Sequence, residues 1–317
     1  MRTLTLRLLA LSLGIALMPK TYAAPTAQQQ QLLEQVRLGE STRREDLVRQ
    51  SLYRLELIDP NNPEVIAARQ RYLLRQGDTA GAQQQLDRLA QLAPNSAAYR
   101  EAQSAMTLST AQGRQGLQEA RLLATTGHTA EAIAAYDKLL QGNPPESDLA
   151  AEYWTLVAKV PERRNQAITQ LKSANSRYPG NPQLQNSLAQ LLFANGRSDE
   201  GYTVLRQMAK SGTTREAAAA IWYQQIQNMP VSDASVQALQ QFLNEFSDGD
   251  TVETARATLA KQQQQLADPA FRARSRGLAA VDAGQGGQAI ASLQQALSAD
   301  QNDGETTGAL GQAYSQK

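Results

Sequence analysis

Apolar residues recur along the chain at helical spacing, in segments of about a dozen residues separated by short polar turns. Two stretches, 77–94 (GDTAGAQQQLDRLAQLAP) and 127–144 (GHTAEAIAAYDKLLQGNP), share one pattern. In each, a glycine is followed five residues later by alanine, then by apolar residues at fixed places, and finally by proline. Glycine suits the left-handed backbone that ends one helix, and proline cannot continue the next. The pattern predicts paired helices, and no alternating β-rich run predicts a strand.

This spacing resembles the tetratricopeptide repeat, a helix-turn-helix unit of about 34 residues whose copies stack into a solenoid. Small residues such as Ala82, Ala132 and Ala167 stand where the two helices of a unit cross, since close approach leaves no room for leucine. Val48 takes that position in the first unit. The predicted fold is therefore all-α, a tetratricopeptide-type solenoid forming a right-handed superhelix, with inserted helices and hinges.

Two segments depart from the repeat. Pro94 and Pro144 are 50 residues apart, which predicts an inserted helix from about Ala97 to Leu108, with Ser109 and Thr110 as the cap that opens the next helix. The motif fades after residue 213, and we expect hinges at 97–113 and at Ser211–Ser232. The predicted divisions are a signal peptide at 1–23, repeat units 1–2 at 24–96, the inserted helix at 97–112, units 3–5 at 113–213, divergent helical hairpins at 214–268, and unit 6 with the first helix of unit 7 at 269–317.

The first 23 residues have the organisation of a secretory signal peptide. Arg2 and Arg7 precede a short apolar core, and Thr21 and Ala23 are small residues at the predicted cleavage site. The apolar core is too short to cross a bilayer comfortably. Because a second helix is missing after the last predicted one, we expect the chain to be an amino-terminal fragment of a longer protein.

Composition excludes several functions. Removing the signal peptide leaves 28 basic against 30 acidic side chains, so nucleic-acid binding and attraction to an anionic membrane are disfavoured. There is no cysteine, and His128 is the only histidine, in a predicted turn without partners for metal binding or catalysis. No carboxylate pair or phosphate-binding loop is recognisable. We predict no enzyme activity, no cofactor, no metal and no membrane insertion by this segment.

The first helices of a repeat array line its inner, concave face. Trp154 and Trp222 could stack on sugars, but core packing is favoured for both. Asp78, Thr129 and Ser198 follow turns and are expected to cap second helices. The candidate binding residues named next could equally form an ordinary solvated helix face, which is the alternative interpretation. The candidate binding residues on this face are Arg37, Glu64, Arg71, Arg75, Arg121, Glu152, Asn186 and Gln190, with Lys159 beside them.

Four strings in the sequence resemble the bacterial cellulose synthase operon protein C family: AAPTAQQQQLLEQVRLGESTRREDLVRQSLYRLELIDPNNPEV, MPVSDASVQAL, FSDGD and QQLADPAFRAR. The resemblance covers the whole chain, signal peptide included. In that family a periplasmic repeat array precedes an outer-membrane barrel through which glucan leaves. The resemblance implies a periplasmic location, with the full-length protein anchored in the outer membrane, and it supplies no catalytic residues.

Three functional hypotheses remain open at this point. The leading one is a periplasmic scaffold for cellulose export that links the inner-membrane synthase to the outer-membrane pore. Its partners would be proteins of the cellulose synthase complex, with β-1,4-glucan or peptidoglycan as further candidates. The alternatives are a general secreted adaptor that binds peptide tails, and a protein that processes polysaccharide within the complex.

Overall fold

The computed structural model describes residues 25–317, and the predicted signal peptide lies outside them. Within this range the chain forms seventeen α-helices, one short 3₁₀ helix and no β-strand. None of these helices combines the length and apolar character needed to cross a bilayer. The helices are α1 (Ala27–Ser41), α2 (Glu45–Ile58), α3 (Pro63–Arg75), α4 (Thr79–Leu92), α5 (Ala97–Ser109), α6 (Ala111–Thr125), α7 (Thr129–Leu140), α8 (Ser147–Val157), α9 (Arg164–Arg177), α10 (Pro182–Ala194), α11 (Ser198–Ala209), α12 (Arg215–Gln227), α13 (Asp233–Glu245), α14 (Asp250–Ala267), α15 (Pro269–Asp282), α16 (Gly286–Ala299) and α17 (Gly304–Ser315).

Consecutive helices pack in pairs, and the first helix of one pair also contacts the first helix of the next. The pairs α1–α2, α3–α4, α6–α7 and α15–α16 have the most extensive contacts, followed by α16–α17 and α10–α11. Between pairs, α8 contacts α10, and α10 contacts α12. Helix α5 stands alone in the segment where an inserted helix was expected, and it contacts α3, α4, α6 and α7. The prediction of an all-α solenoid of the tetratricopeptide type is confirmed.

Small residues lie at the helix crossings, as the spacing predicted. Ala82, Ala132 and Ala167 are completely buried. In the first pair the small residue is on the opposite helix. Val48 is buried at the crossing, and a Cβ added to Gly39 would come within 2.7 Å of the Val48 Cγ2 atom. In the first unit the helices therefore still cross closely, because the small residue is Gly39 on the first helix and the larger Val48 is on the second.

The turn residues match the prediction in part. Gly77 and Gly127 have φ angles of +80° and +84°, in the left-handed region where glycine is favoured. Asp78 caps α4 by accepting a hydrogen bond from the backbone N–H three residues later. The predicted caps at Thr129 and Ser198 are wrong, because both residues begin their helices and neither helix has a side-chain cap bond.

The apolar core is divided along the chain. One core near the amino terminus joins α3 to α5, and the largest runs without interruption from Ala120 to Ala255. The core therefore does not break at Ser211–Ser232, and the hinge expected there stays a prediction. Aromatic rings replace the glycine–alanine pattern there, with Trp222 in contact with Tyr202 on one side and Phe246 on the other. Of the two predicted joints, only the one beside α5 coincides with a break between cores.

A second break separates α14 from α15. The last helices have their own small core around Val281 and Leu293. Polar contacts connect this unit to the start of α13. Ser275 donates to the Val231 carbonyl oxygen at 2.6 Å, and Arg276 pairs with Asp233 at 2.8 Å. The sequence predicted a division between 214–268 and 269–317 at this place, but no hinge there.

Asp303 is expected to make the docking of α17 sensitive to acid. The hydroxyl and amide of Thr306 and the guanidinium of Arg274 donate to its carboxylate, and these hydrogen bonds lower the pKa of Asp303 to about 2. A lowered pKa stabilises the folded state above the unfolded value of about 4, and this contribution is lost as the pH falls toward about 2. Amide protection in 304–315, measured by NMR, should fall over that interval.

The Asp303→Asn variant should lose this pH dependence, because asparagine cannot ionise. Asp282→Asn is the matched control, since the Asp282 side chain is exposed and outside the cap. Equal loss of protection in the wild type and in Asp303→Asn across the whole interval would show that the cap contributes nothing to acid sensitivity.

Candidate interaction surface

The eight predicted binding residues all lie on first helices, namely α1, α3, α6, α8 and α10. We call the surface formed by these helices together with α5 and α12 the first-helix surface. Six of the eight side chains on it are engaged in ion pairs between helices. Six of the predicted residues are therefore paired within the described part of the chain, and only Asn186 and Gln190 are left free of ion pairs for binding a partner.

The charge cluster at the amino-terminal end comprises Arg37, Glu40, Glu64, Arg71 and Arg75. Arg37 pairs with Glu64, and the Arg71 guanidinium donates to both carboxylate oxygens of Glu40 at 2.9 and 3.2 Å. Arg75 adds a contact of 3.3 Å to Glu40. Burial would raise the pKa of Glu64, but the nearby guanidinium groups, Arg37 foremost, outweigh it and lower that pKa. The cluster ties α1 to α3.

Arg177 extends this network from α9 to the inserted helix α5. It pairs with Glu101 through both carboxylate oxygens, one of them at 2.7 Å, although the two residues are 76 positions apart. Only 4 % of Glu101 is exposed. The adjacent Tyr178 is buried, donates to the Pro145 carbonyl oxygen at 3.2 Å, and has its pKa raised to about 12 by that burial. The Arg177–Glu101 pair connects the amino-terminal helix pairs to the middle of the array.

A second ion pair joins α6 to α8. Arg121 donates to both oxygens of Glu152 at 2.8 and 2.9 Å, and the Tyr136 hydroxyl also donates to Glu152. Burial opposes ionisation of Glu152, but the hydrogen bonds from Arg121 and Tyr136 prevail and lower its pKa. Arg121 and Glu152 are therefore already partners of each other.

The α8–α10 groove is the part of the first-helix surface where predicted residues are free of ion pairs. It has a volume of about 420 Å³. Gln190 lines it, and Asn186 lies on the same helix with its Oδ1 atom buried and without a hydrogen-bond partner among the described residues. The full lining is Thr155, Ala158, Lys159, Arg164, Ser187, Gln190, Leu191, Ala194 and Asn195.

A larger groove, the two tryptophans and His128 all lie outside the α8–α10 groove. A groove of about 830 Å³ between α6 and α7 contains none of the eight predicted residues. Trp154 and Trp222 are buried in the core, as favoured, with 4 % and 5 % of each exposed. His128 is exposed at the start of α7, where its Nδ1 atom lies 3.0 Å from the Thr126 hydroxyl.

Sequence reasoning missed the acidic partners Glu40 and Glu101 and the arginine Arg177. A usable signal existed for Glu40, because it precedes Arg71 by 31 residues, about one repeat. Arg121 and Glu152 are also 31 residues apart. Opposite charges one repeat apart on first helices therefore indicate pairing between neighbouring units.

Comparisons with known proteins agree on one family, although no protein-family model matches the chain. Cellulose synthase operon protein C of Salmonella typhimurium strain LT2 is 70 % identical over 302 residues, covering 95 % of this chain and 26 % of that protein. The protein of the same name from Escherichia coli strain K12 is 65 % identical over 317 residues, covering 100 % and 27 %. The chain thus spans about a quarter of the length of these curated relatives.

A solved crystal structure covers much of the chain as well. It is described as the flexible tandem repeat domain of a bacterial cellulose synthase component. It is 73 % identical, superposes with a TM-score of 0.67, and matches 77 % of this chain and 100 % of its own.

Proposed function

The chain belongs to the cellulose synthase operon protein C family, and on that premise we propose that it is a periplasmic, non-catalytic scaffold of the cellulose synthesis and secretion complex. In this role it links the inner-membrane synthase to the outer-membrane export pore. Its partners are proteins of that complex, and the growing β-1,4-glucan passes along the array.

One observation carries the proposal: the solved tandem repeat domain of a bacterial cellulose synthase component matches 77 % of this chain at 73 % identity. The arrangement of the helices is consistent with it. Ion pairs hold successive first helices together, and the α8–α10 groove between them stays open. Such a surface suits binding along an extended array better than reaction at an enclosed centre.

The scaffold proposal predicts what the α8–α10 groove touches in cells. A photo-crosslinking amino acid would replace Gln190, an exposed residue of the groove, in the full-length protein of a cellulose-producing bacterium. Mass spectrometry should identify proteins of the cellulose synthesis complex among the crosslinked products. The control places the same amino acid at Thr203, which is exposed on the second helix α11.

Two outcomes would contradict the scaffold. Crosslinking to unrelated secreted proteins alone would favour the general peptide-binding adaptor. Equal capture of the complex from Gln190 and Thr203 would show that the first-helix surface has no special part in binding.

A further inference from the structure

We propose that the α8–α10 groove binds a short extended peptide segment that presents carboxylates beside apolar side chains. The inference rests on the proposed scaffold function and names the chemistry of one partner segment. It is drawn from the charge, shape and hydrogen-bonding capacity of the groove.

The groove has a net positive lining. Lys159 and Arg164 contribute two cations, and no aspartate or glutamate is among the lining residues. Neither cation has a carboxylate partner within residues 25–317, and the only side-chain bond of Arg164 is from Nε to the Ala158 carbonyl oxygen at 3.1 Å. Elsewhere on the first-helix surface, Arg71 and Arg121 are neutralised by glutamates. The groove therefore offers its charge to an external anion.

The lining of the groove suits a peptide. Its apolar part consists of Ala158, Leu191 and Ala194. Ser187 and Gln190 add a hydroxyl and an amide group to the same lining. Grooves that bind extended peptides combine pockets for apolar side chains with polar groups for the main chain. A volume of about 420 Å³ accommodates a few residues.

Thr155 supplies a hydrogen-bonding group without a partner. Thr155 lines the groove, and its Oγ1 atom is buried and makes no hydrogen bond to any described residue. A buried polar atom without a partner is unfavourable, so a ligand that reaches this atom and pairs with it gains affinity. A peptide N–H can donate to this hydroxyl, and a carboxylate can accept from it.

A neutral glucan fits these features less well. It carries no charge to pair with Lys159 and Arg164. The lining contains no aromatic ring on which a sugar could stack. The charge and the apolar residues of the lining together favour an acidic, partly apolar peptide.

Fluorescence anisotropy on the purified chain tests the proposal with three labelled probes. These are the peptide Gly-Leu-Asp-Leu-Asp-Leu-Gly, the same peptide with asparagine for aspartate, and cellohexaose. The acidic peptide should bind about tenfold more tightly than its asparagine counterpart, a difference of about 1.4 kcal/mol. Its binding should weaken with added salt, because the pairs formed are at the surface.

The variant Lys159→Gln/Arg164→Gln should bind the acidic peptide about tenfold more weakly. Lys159→Gln alone keeps the fold intact, since its side chain makes no hydrogen bond or ion pair among the described residues, and it should show part of the loss. The matched control is Lys138→Gln/Lys210→Gln, which removes two cations outside the groove and should leave binding unchanged.

The proposal is overturned if the acidic peptide fails to bind at about 1 mM, if the asparagine peptide binds equally well, or if the groove variants bind as the wild type does. Tighter binding of cellohexaose than of the acidic peptide would also overturn it and assign the groove to glucan. None of these results affects the scaffold function, because capture of cellulose synthesis proteins from Gln190 is a separate readout.

Discussion

Replacing Arg177 with methionine should lower the free energy of unfolding of the helices around α5 and α9 by about 3–5 kcal/mol. Arg177 holds both carboxylate oxygens of Glu101, and the Glu101 side chain is 5 % exposed. Without its partner, Glu101 would leave an uncompensated charge in the interior, which costs more than the lost attraction alone. Urea unfolding followed by hydrogen–deuterium exchange of amides in α5 and α9 measures the effect locally.

Two further variants separate charge from packing. Lys172→Met removes a cation of α9 that pairs with Glu200 of α11, but both side chains are exposed, at 48 % and 38 %, so the change should stay below about 1 kcal/mol. Adding Glu101→Leu to Arg177→Met should recover most of the lost stability, because no buried charge is left. If Arg177→Met alone lies within about 1 kcal/mol of the wild type, then Glu101 is hydrated and the pair does not connect the two parts of the array.

The helical repeat could be predicted from the sequence because its causes are local. The left-handed glycine at Gly77 and the buried alanine at Ala82 depend on residues within one unit. The ion pairs, in contrast, form between residues of two different units. Arg71, Arg121 and Glu152 were correctly placed on first helices, but Glu40 was missed and no pairing between neighbouring helices was predicted.

Two features could not be predicted from repeat spacing. Glu101 lies on the inserted helix α5, so its 76-residue separation from Arg177 is not a multiple of the repeat. The motif also fades around Trp222, yet the packing does not weaken there, because buried aromatic rings fill the space between helices. Loss of a sequence motif is therefore weaker evidence for a hinge than a break in the core itself.

Substituting Gly113 with alanine should destabilise the joint between α5 and α6 by about 3 kcal/mol. Gly113 lies in the first turn of α6, where its N–H donates to the Thr110 cap at 2.9 Å. A Cβ at this position would lie 2.7 Å from the carbonyl carbon of Thr107 and 3.1 Å from the Cα of Leu108. Both are backbone atoms of α5, so relief requires moving one helix relative to the other.

Gly116→Ala is the matched control, one turn further along α6. Its Cβ would meet the Cδ2 atom of Leu139 at 3.2 Å, and this flexible side chain can move aside. Alanine also favours a helix by about 1 kcal/mol over glycine, so this variant should be neutral or slightly more stable. Urea unfolding of the two variants under identical conditions gives the comparison.

Hydrogen–deuterium exchange then shows how the Gly113→Ala strain is relieved. If α5 shifts as a unit, its Glu101 moves away from Arg177, and protection should fall in α9 as well as in α5 and α6. If only the first turn of α6 unwinds, the loss should be confined to residues near the Thr110 cap and should amount to about 1 kcal/mol. Because α5 contacts pairs on both sides, the first result would identify this joint as the point that sets the direction of the amino-terminal array. The second would assign that role to the buried ion pair alone.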